Sequence, residues 1–178
     1  MVVIAVVGKS GSGKTTTIEY LTSRLSKEGY RVGSIKHIHH PDFSIDTEGT
    51  DTWRHAHAGA IVTAAIAPKE TVIIKKTDTS KLDLDRIISL LLNEEKVDFI
   101  FLEGFHSLIA KRKDISKIIV AKDVEDLMGT LNGTVQPVLA ITGLIAKKKT
   151  EVKGIEAPII DIYTEGDLLL KLLKKMRS

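Results

Sequence analysis

The chain opens on six apolar residues, Val2-Val3-Ile4-Ala5-Val6-Val7, that run without a polar break into Gly8-Lys9-Ser10-Gly11-Ser12-Gly13-Lys14-Thr15. The apolar run shows no alternation, so it reads as a strand buried on both faces, as in a parallel sheet covered by helices. The octapeptide satisfies the Walker A pattern G-x-x-x-x-G-K-[ST] at every required position. Its glycines let the backbone curl without Cβ clashes, so that successive N–H groups face phosphate oxygens. A helix opening directly after it brings its positive end to the same anion. Residues 8–16 are therefore expected to form the P-loop of a nucleoside triphosphate site. Lys14 would bridge the terminal phosphates, and the Thr15 hydroxyl would join the shell of a Mg²⁺ ion. A ligand-free Gly/Ser-rich turn is the alternative, and the placement between a strand and a helix stands against it.

The rest of the chain continues the alternation. Ile18, Leu21 and Leu25 recur at helical spacing and stop near Gly29, and residues 31–36 form the next strand, a unit of the size of a right-handed βαβ crossover. Residues 53–58 read as a short helix closed by Gly59, and residues 61–67 and 71–75 as strands on either side of Pro68. Leu84, Ile87, Ile88, Leu91 and Leu92 mark a helix, for which Ser80 and Asp83 resemble a capping box. Strands are expected at 98–102, 117–121, 137–142 and 158–162, with a helix at 124–131. The closing helix would carry Leu168, Leu169, Leu172, Leu173 and Met176 on one face, with Lys174, Lys175 and Arg177 at its negative end. Only 4% of the residues are aromatic, so the core must be built from Ile, Val, Leu and Ala. No repeat or linker divides the 178 residues. The expected fold is one α/β domain of the P-loop NTPase type, three layers with a mainly parallel central sheet flanked by helices.

The balance of 26 basic and 23 acidic residues leaves a net charge of +3, compatible with anionic ligands. No basic stripe interleaved with aromatics marks a nucleic-acid partner. Without cysteine, disulfides and thiolate metal sites are excluded, which suits a reducing compartment. The apolar start is too short to span a bilayer and lacks the basic flank and cleavage site of a signal peptide, so no membrane role is expected and a soluble, cytoplasmic protein is. Lys147-Lys148-Lys149 reads as a solvated loop.

A P-loop needs a second acid near its metal. The apolar strand at 98–102 delivers Glu103 at its carboxyl end, where ligands collect in open α/β sheets. Glu103 would hold a metal-bound water or position an attacking one; a surface carboxylate is the bland reading. Asp98 opens the same strand at the opposite edge and reads as a capping or solvent residue. Lys9 has two readings: a lysine at this motif position reaches a dimer partner's phosphates in the division-site ATPases related to MinD, but those have two glycines after it where Ser10-Gly11 stands here. Otherwise Lys9 is solvated or steers phosphate.

Residues 37–52 are rich in His, Asp, Thr, Pro and Gly, and a polar stretch this long inside a domain is usually functional. With His55 and His57 it holds five of the six histidines. A transition-metal site is one reading, weakened because His55 and His57 face apart on a helix. A second is a switch loop beside the triphosphate, in which Asp46 or Asp51 meets Mg²⁺ through water while Lys36 or the histidines, His37 among them, face a second anionic partner. A third is a polar loop satisfied by turns and water.

The segment Ile35-Lys36-His37-x-His39-His40, followed by Asp46, Gly49, Asp51 and Ala58-Gly59-Ala60, resembles the MobB family of molybdopterin-guanine dinucleotide biosynthesis. Thr15-Thr16 after the P-loop and the turn Leu102-Glu103-Gly104-Phe105 fit the same family in the same order, over roughly residues 2–120. The resemblance implies a GTP-binding protein with weak hydrolysis, usually a homodimer, that assists the guanylyltransferase joining GMP to molybdopterin. By position it implies phosphate binding by residues 11–16 and Mg²⁺ held by Thr15 with an acid among Asp46 and Glu103. It also makes residues 36–51 the adjoining loop. In the family a lysine commonly follows the Glu-Gly-Phe turn, whereas His106 stands here; Lys111-Arg112-Lys113 lies nearby as a substitute. Guanine preference comes from the resemblance alone, since no Asn-Lys-x-Asp motif is present, and Thr142-Gly143 lies where a base-contacting loop often sits. The alternatives are a P-loop small-molecule kinase, with residues 111–113 as a phosphate-clamping lid, and a MinD-like dimerising ATPase using Lys9.

Overall fold

In the computed structural model the chain forms β1 (Val2–Val7), α1 (Lys14–Lys27), β2 (Val32–Lys36), α2 (Asp51–His57), β3 (Val62–Ala67), β4 (Glu70–Lys75), α3 (Leu84–Leu92), β5 (Phe99–Glu103), α4 (His106–Ile109), β6 (Ser116–Val120), α5 (Val124–Leu131), β7 (Val138–Thr142), α6 (Leu144–Lys147) and α7 (Gly166–Lys175). The structure describes residues 1–40, 42–79, 83–92, 96–148, 152 and 154–177. Two compact units emerge, Met1–His37 with Ile88–Ser178, and Ile38–Ile87.

The first unit is built on a five-stranded sheet of order β2-β5-β1-β6-β7. Every pairing in it is parallel. Val2, Ile4, Val6, Phe99, Phe101, Ile118 and Val120 pack in one cluster with Leu21 and Leu25 of α1 and Leu169, Leu170 and Leu173 of α7. The alternate residues Ala5, Val7, Ile100, Leu102 and Ile119 are buried as well, so helices or loops cover both faces. This double covering is why the strands read as continuous apolar runs. Each fully buried Leu, Ile, Val or Phe contributes about 1.5–3 kcal/mol.

The expected mainly parallel sheet flanked by helices is present. Three local expectations need correction. On α7 the buried residues are Gly166, Leu169, Leu170 and Leu173, an i, i+3, i+4, i+7 stripe, and Leu168 is 46% exposed. The segment 158–162 makes one isolated parallel bridge, Ile141 with Ile159, rather than a strand. The short helices α4 and α6 were not foreseen. Asp83 caps α3, its Oδ1 accepting from the Arg86 N–H at 2.7 Å, whereas Ser80 lies outside the described residues.

In the second unit β3 and β4 form an antiparallel hairpin with Ala64 opposite Ile73 and Ile66 opposite Thr71. Val62, Ile66 and Ile73 share one face by strand alternation, and all are exposed. Thr50 caps α2 by accepting the Trp53 N–H. Among the described residues no helix is long and apolar enough to cross a membrane.

Candidate functional site

Strand register assembles the site. Val6 pairs with Glu103, and Lys36 pairs with Glu103 from the other side, so the ends of β1, β5 and β2 lie in one row at the carboxyl edge of the sheet. Chain order reverses about β1, whose neighbours are β5 and β6, the place where open α/β sheets bind ligands. The loop leaves β1 at Gly8, where a Cβ would lie 2.1 Å from the Val120 carbonyl oxygen, so only glycine fits. α1 then opens with no side chain capping it, which leaves its first-turn N–H groups for an anion.

Lys14 Nζ donates to the Lys9 carbonyl at 2.7 Å, spanning the loop where phosphates would lie. Burial lowers the Lys14 pKa from its ordinary value, against the opposing pull of the Glu103 carboxylate. The Thr15 hydroxyl donates toward both Glu103 oxygens, at 3.1 and 3.3 Å. Lys36 Nζ stands 3.3 Å from Glu103 Oε1. A cleft of about 410 Å³ is lined by the P-loop, Lys36 and Glu103. Lys14, Thr15, Lys36 and Glu103 thus converge, with a hydroxyl and a largely buried carboxylate forming a hard-oxygen donor set.

The Glu-Gly-Phe turn is fixed from the end of β2. The His37 N–H donates to the Glu103 carbonyl at 2.8 Å. The His37 ring stacks on Phe105 at 5.0 Å between centroids. Gly104 has φ +86°, and a Cβ there would meet the His37 carbonyl oxygen at 2.6 Å. His37 therefore shapes the turn that presents Glu103.

Other expected residues have partners elsewhere. Lys9 Nζ lies 3.8 Å from Asp126 Oδ1 of its own chain. Asp46 and Asp51 belong to the second unit. Asp46 Oδ1 accepts from Thr47 N–H, Thr50 and Thr52 at 3.0, 2.9 and 3.1 Å. Desolvation pushes its pKa up, but these hydrogen bonds outweigh that and hold it below the ordinary value; Oδ2 is buried without a partner among the described residues. Asp51 opens α2 and pairs loosely with Arg54 at 3.8 Å. His57 stacks on Trp53 at 3.6 Å. Among the described residues no three His, Cys, Asp or Glu side chains gather as a metal-holding group.

Some residues near the site were not singled out from sequence. Asp126, buried in the first turn of α5, holds the Lys122 N–H at 3.0 Å as well as meeting Lys9; the acidic first turn of that helix was its available signal. Away from the site, toward the amino end of β6, Lys117 is wholly buried, donating to the carbonyls of Arg112 and Val135.

The model of the MobB family, described as molybdopterin guanine dinucleotide synthesis protein B, matches residues 3–141. The chain belongs to the MobB family. Its relatives in that family include the probable molybdopterin-guanine dinucleotide biosynthesis adapter protein of Bacillus subtilis, 33% identical over 175 residues, 97% of this chain and 93% of that one. A counterpart in Methanocaldococcus jannaschii is 38% identical over 123 residues, 69% of this chain, and the match spans only about half (48%) of that relative's length. The crystal structure of Bacillus subtilis MobB aligns with a TM-score of 0.76 and 30% identity, covering 97% of this chain and 98% of that one.

Proposed function

We propose that this chain binds GTP with Mg²⁺ through residues 8–16 and serves as an adapter in the making of molybdopterin guanine dinucleotide. It would assist the guanylyltransferase step and hydrolyse GTP only slowly. The convergence of Lys14, Thr15, Lys36 and Glu103 carries the nucleotide part. Membership of the MobB family, with relatives named as biosynthesis adapter proteins, supports the pathway part.

In this reading the P-loop N–H groups and Lys14 hold the phosphates, Lys14 exchanging the Lys9 carbonyl for phosphate oxygen. Thr15 and Glu103 would hold Mg²⁺, an ion that takes a few protein oxygens beside phosphate oxygens and neutralises phosphate charge. Lys36 keeps the Glu103 carboxylate aimed along the row of strand ends. The exposed apolar face of the β3–β4 hairpin supports a homodimer, because a bare hydrophobic hairpin seeks a partner.

The kinase alternative needs residues 111–113 as a mobile clamp, whereas Arg112 is tied to Asp114 by hydrogen bonds of 2.7 and 2.6 Å. The MinD-like alternative needs Lys9 to leave Asp126 for a partner's phosphates. Binding of GTP and ATP, each with and without Mg²⁺ and with and without the guanylyltransferase, tests the proposal. Mg²⁺-enhanced GTP binding that the transferase strengthens is expected; equal affinity for ATP overturns it.

A further inference from the structure

The P-loop borders a second cleft, on the side away from Glu103. It holds about 230 Å³ and is walled by Thr16, Thr142, Gly143, Lys147, Asp161 and Tyr163. That space lies below the ~300–1,000 Å³ of pockets that enclose a whole drug-sized ligand, and it suits one ring system joined to phosphates lying in the neighbouring loop. Because Lys36 and Glu103 line the other cleft, a nucleotide bound as proposed above would lie with its terminal phosphate toward β5 and its base toward β7.

Asp161 reaches this wall by register. The Ile141 N–H donates to the Pro158 carbonyl at 2.9 Å and the Ile160 N–H to the Ile141 carbonyl at 2.8 Å, around the Ile141–Ile159 bridge. Two residues further along each segment stand Gly143 and Asp161. Ile160 and Ile162, both buried, anchor the segment on either side. Asp161 Oδ1 accepts the Tyr163 N–H at 3.0 Å, which orients the carboxylate. Tyr163 is 61% exposed, with Lys147 Nζ 4.7 Å from its ring centroid, giving the cleft a flat wall. The Ser12 and Thr142 hydroxyls beside it are buried without a partner among the described residues, an omission native sites usually resolve with a ligand or water.

We infer that this cleft seats the base of the nucleotide and that Asp161 selects guanine, deepening and resting on the nucleotide reading above. Asp161 is the acid among the cleft's lining residues. A carboxylate accepts hydrogen bonds and donates none. Guanine presents two adjacent donors, N1–H and the 2-amino group, which a carboxylate takes in bidentate fashion. Adenine presents an acceptor at N1 beside its single 6-amino donor, and the N1 lone pair repels the carboxylate.

The test is titration of the full chain, with Mg²⁺, against the triphosphates of guanosine, inosine, xanthosine and adenosine. The wild type is expected to bind GTP about tenfold or more tighter than the inosine nucleotide, which lacks the 2-amino donor. Asp161→Asn keeps the acceptor for Tyr163 and exchanges one acceptor for a donor. It is expected to lose about tenfold for GTP and gain about tenfold for the xanthosine nucleotide, whose 2-oxo group accepts. Equal wild-type affinity for the guanosine and inosine nucleotides overturns the inference, even if the variant does not fold. So does an unchanged guanosine-to-xanthosine ratio in the variant; with GTP still preferred over ATP, the nucleotide reading survives that result. No binding of any triphosphate overturns both.

Discussion

The Thr15 hydroxyl and the Glu103 carboxylate meet at 3.1 Å although 88 residues separate them. The contact joins the first helical turn after the P-loop to the carboxyl end of β5, and Lys36 approaches the same carboxylate from β2 at 3.3 Å. A hydroxyl, a carboxylate and a cation are thereby held in one polar cluster between the phosphate side and the sheet edge.

Glu103→Gln should remove the Mg²⁺-dependent share of nucleotide affinity. Glutamine keeps the length and one acceptor for Thr15 but loses the charge a divalent cation requires. Calorimetric titration of GTP with Mg²⁺ and with chelator should show the gain from Mg²⁺ shrinking about tenfold or more, roughly 1.4 kcal/mol. Affinity in chelator should stay near the wild-type value. A full Mg²⁺ gain in the variant would remove Glu103 from the metal site.

Lys14→Ala should weaken nucleotide binding severely and spare the fold. Its ammonium touches only the Lys9 carbonyl among the hydrogen bonds of the described residues, so its loss costs the resting protein little. Charge-assisted bonds to phosphate are worth about 1.5–3 kcal/mol each, so a loss of about a hundredfold is expected. Unchanged affinity beside an unchanged circular dichroism spectrum would sink the phosphate assignment.

What the sequence made legible follows from how locally each feature is encoded. The P-loop is a backbone requirement for glycine at fixed spacing, and Gly8 against the Val120 carbonyl is that requirement in space. Strands buried on both faces announce themselves as apolar runs. The four-residue helices α4 and α6 are too short to show a period. The cluster of leucines at 168–173 permits more than one stripe, and the chosen one included exposed Leu168. Lys117 could not be read as buried, because its compensation comes from carbonyls at 112 and 135. Asp161 owes its place to pairing between 141 and 159.

Ile66→Lys together with Ile73→Lys should shift the protein toward monomer. The two side chains are 83% and 59% exposed on one hairpin face, and placing ammonium groups there makes burial against a partner costly. Sedimentation velocity across a concentration series should show the wild type as a dimer and the double variant as a monomer with an unchanged melting temperature at low concentration. An unaltered dimer would place the interface on another surface.

His106 should make the protein less stable in mild acid. Burial lowers its pKa below the ordinary 6.5, and its Nε2 sits 2.9 Å from the Thr134 hydroxyl. Between the folded-state pKa and 6.5 the unfolded chain binds more protons than the folded one, so stability rises with pH there and falls as pH drops from 6.5 through the folded-state pKa. His106→Gln places an amide where Nε2 lies and removes the titration. Thermal melts at pH 7 and pH 5 should show a smaller acid-induced drop in Tm for the variant than for the wild type. Equal drops in both would assign the acid sensitivity to other groups.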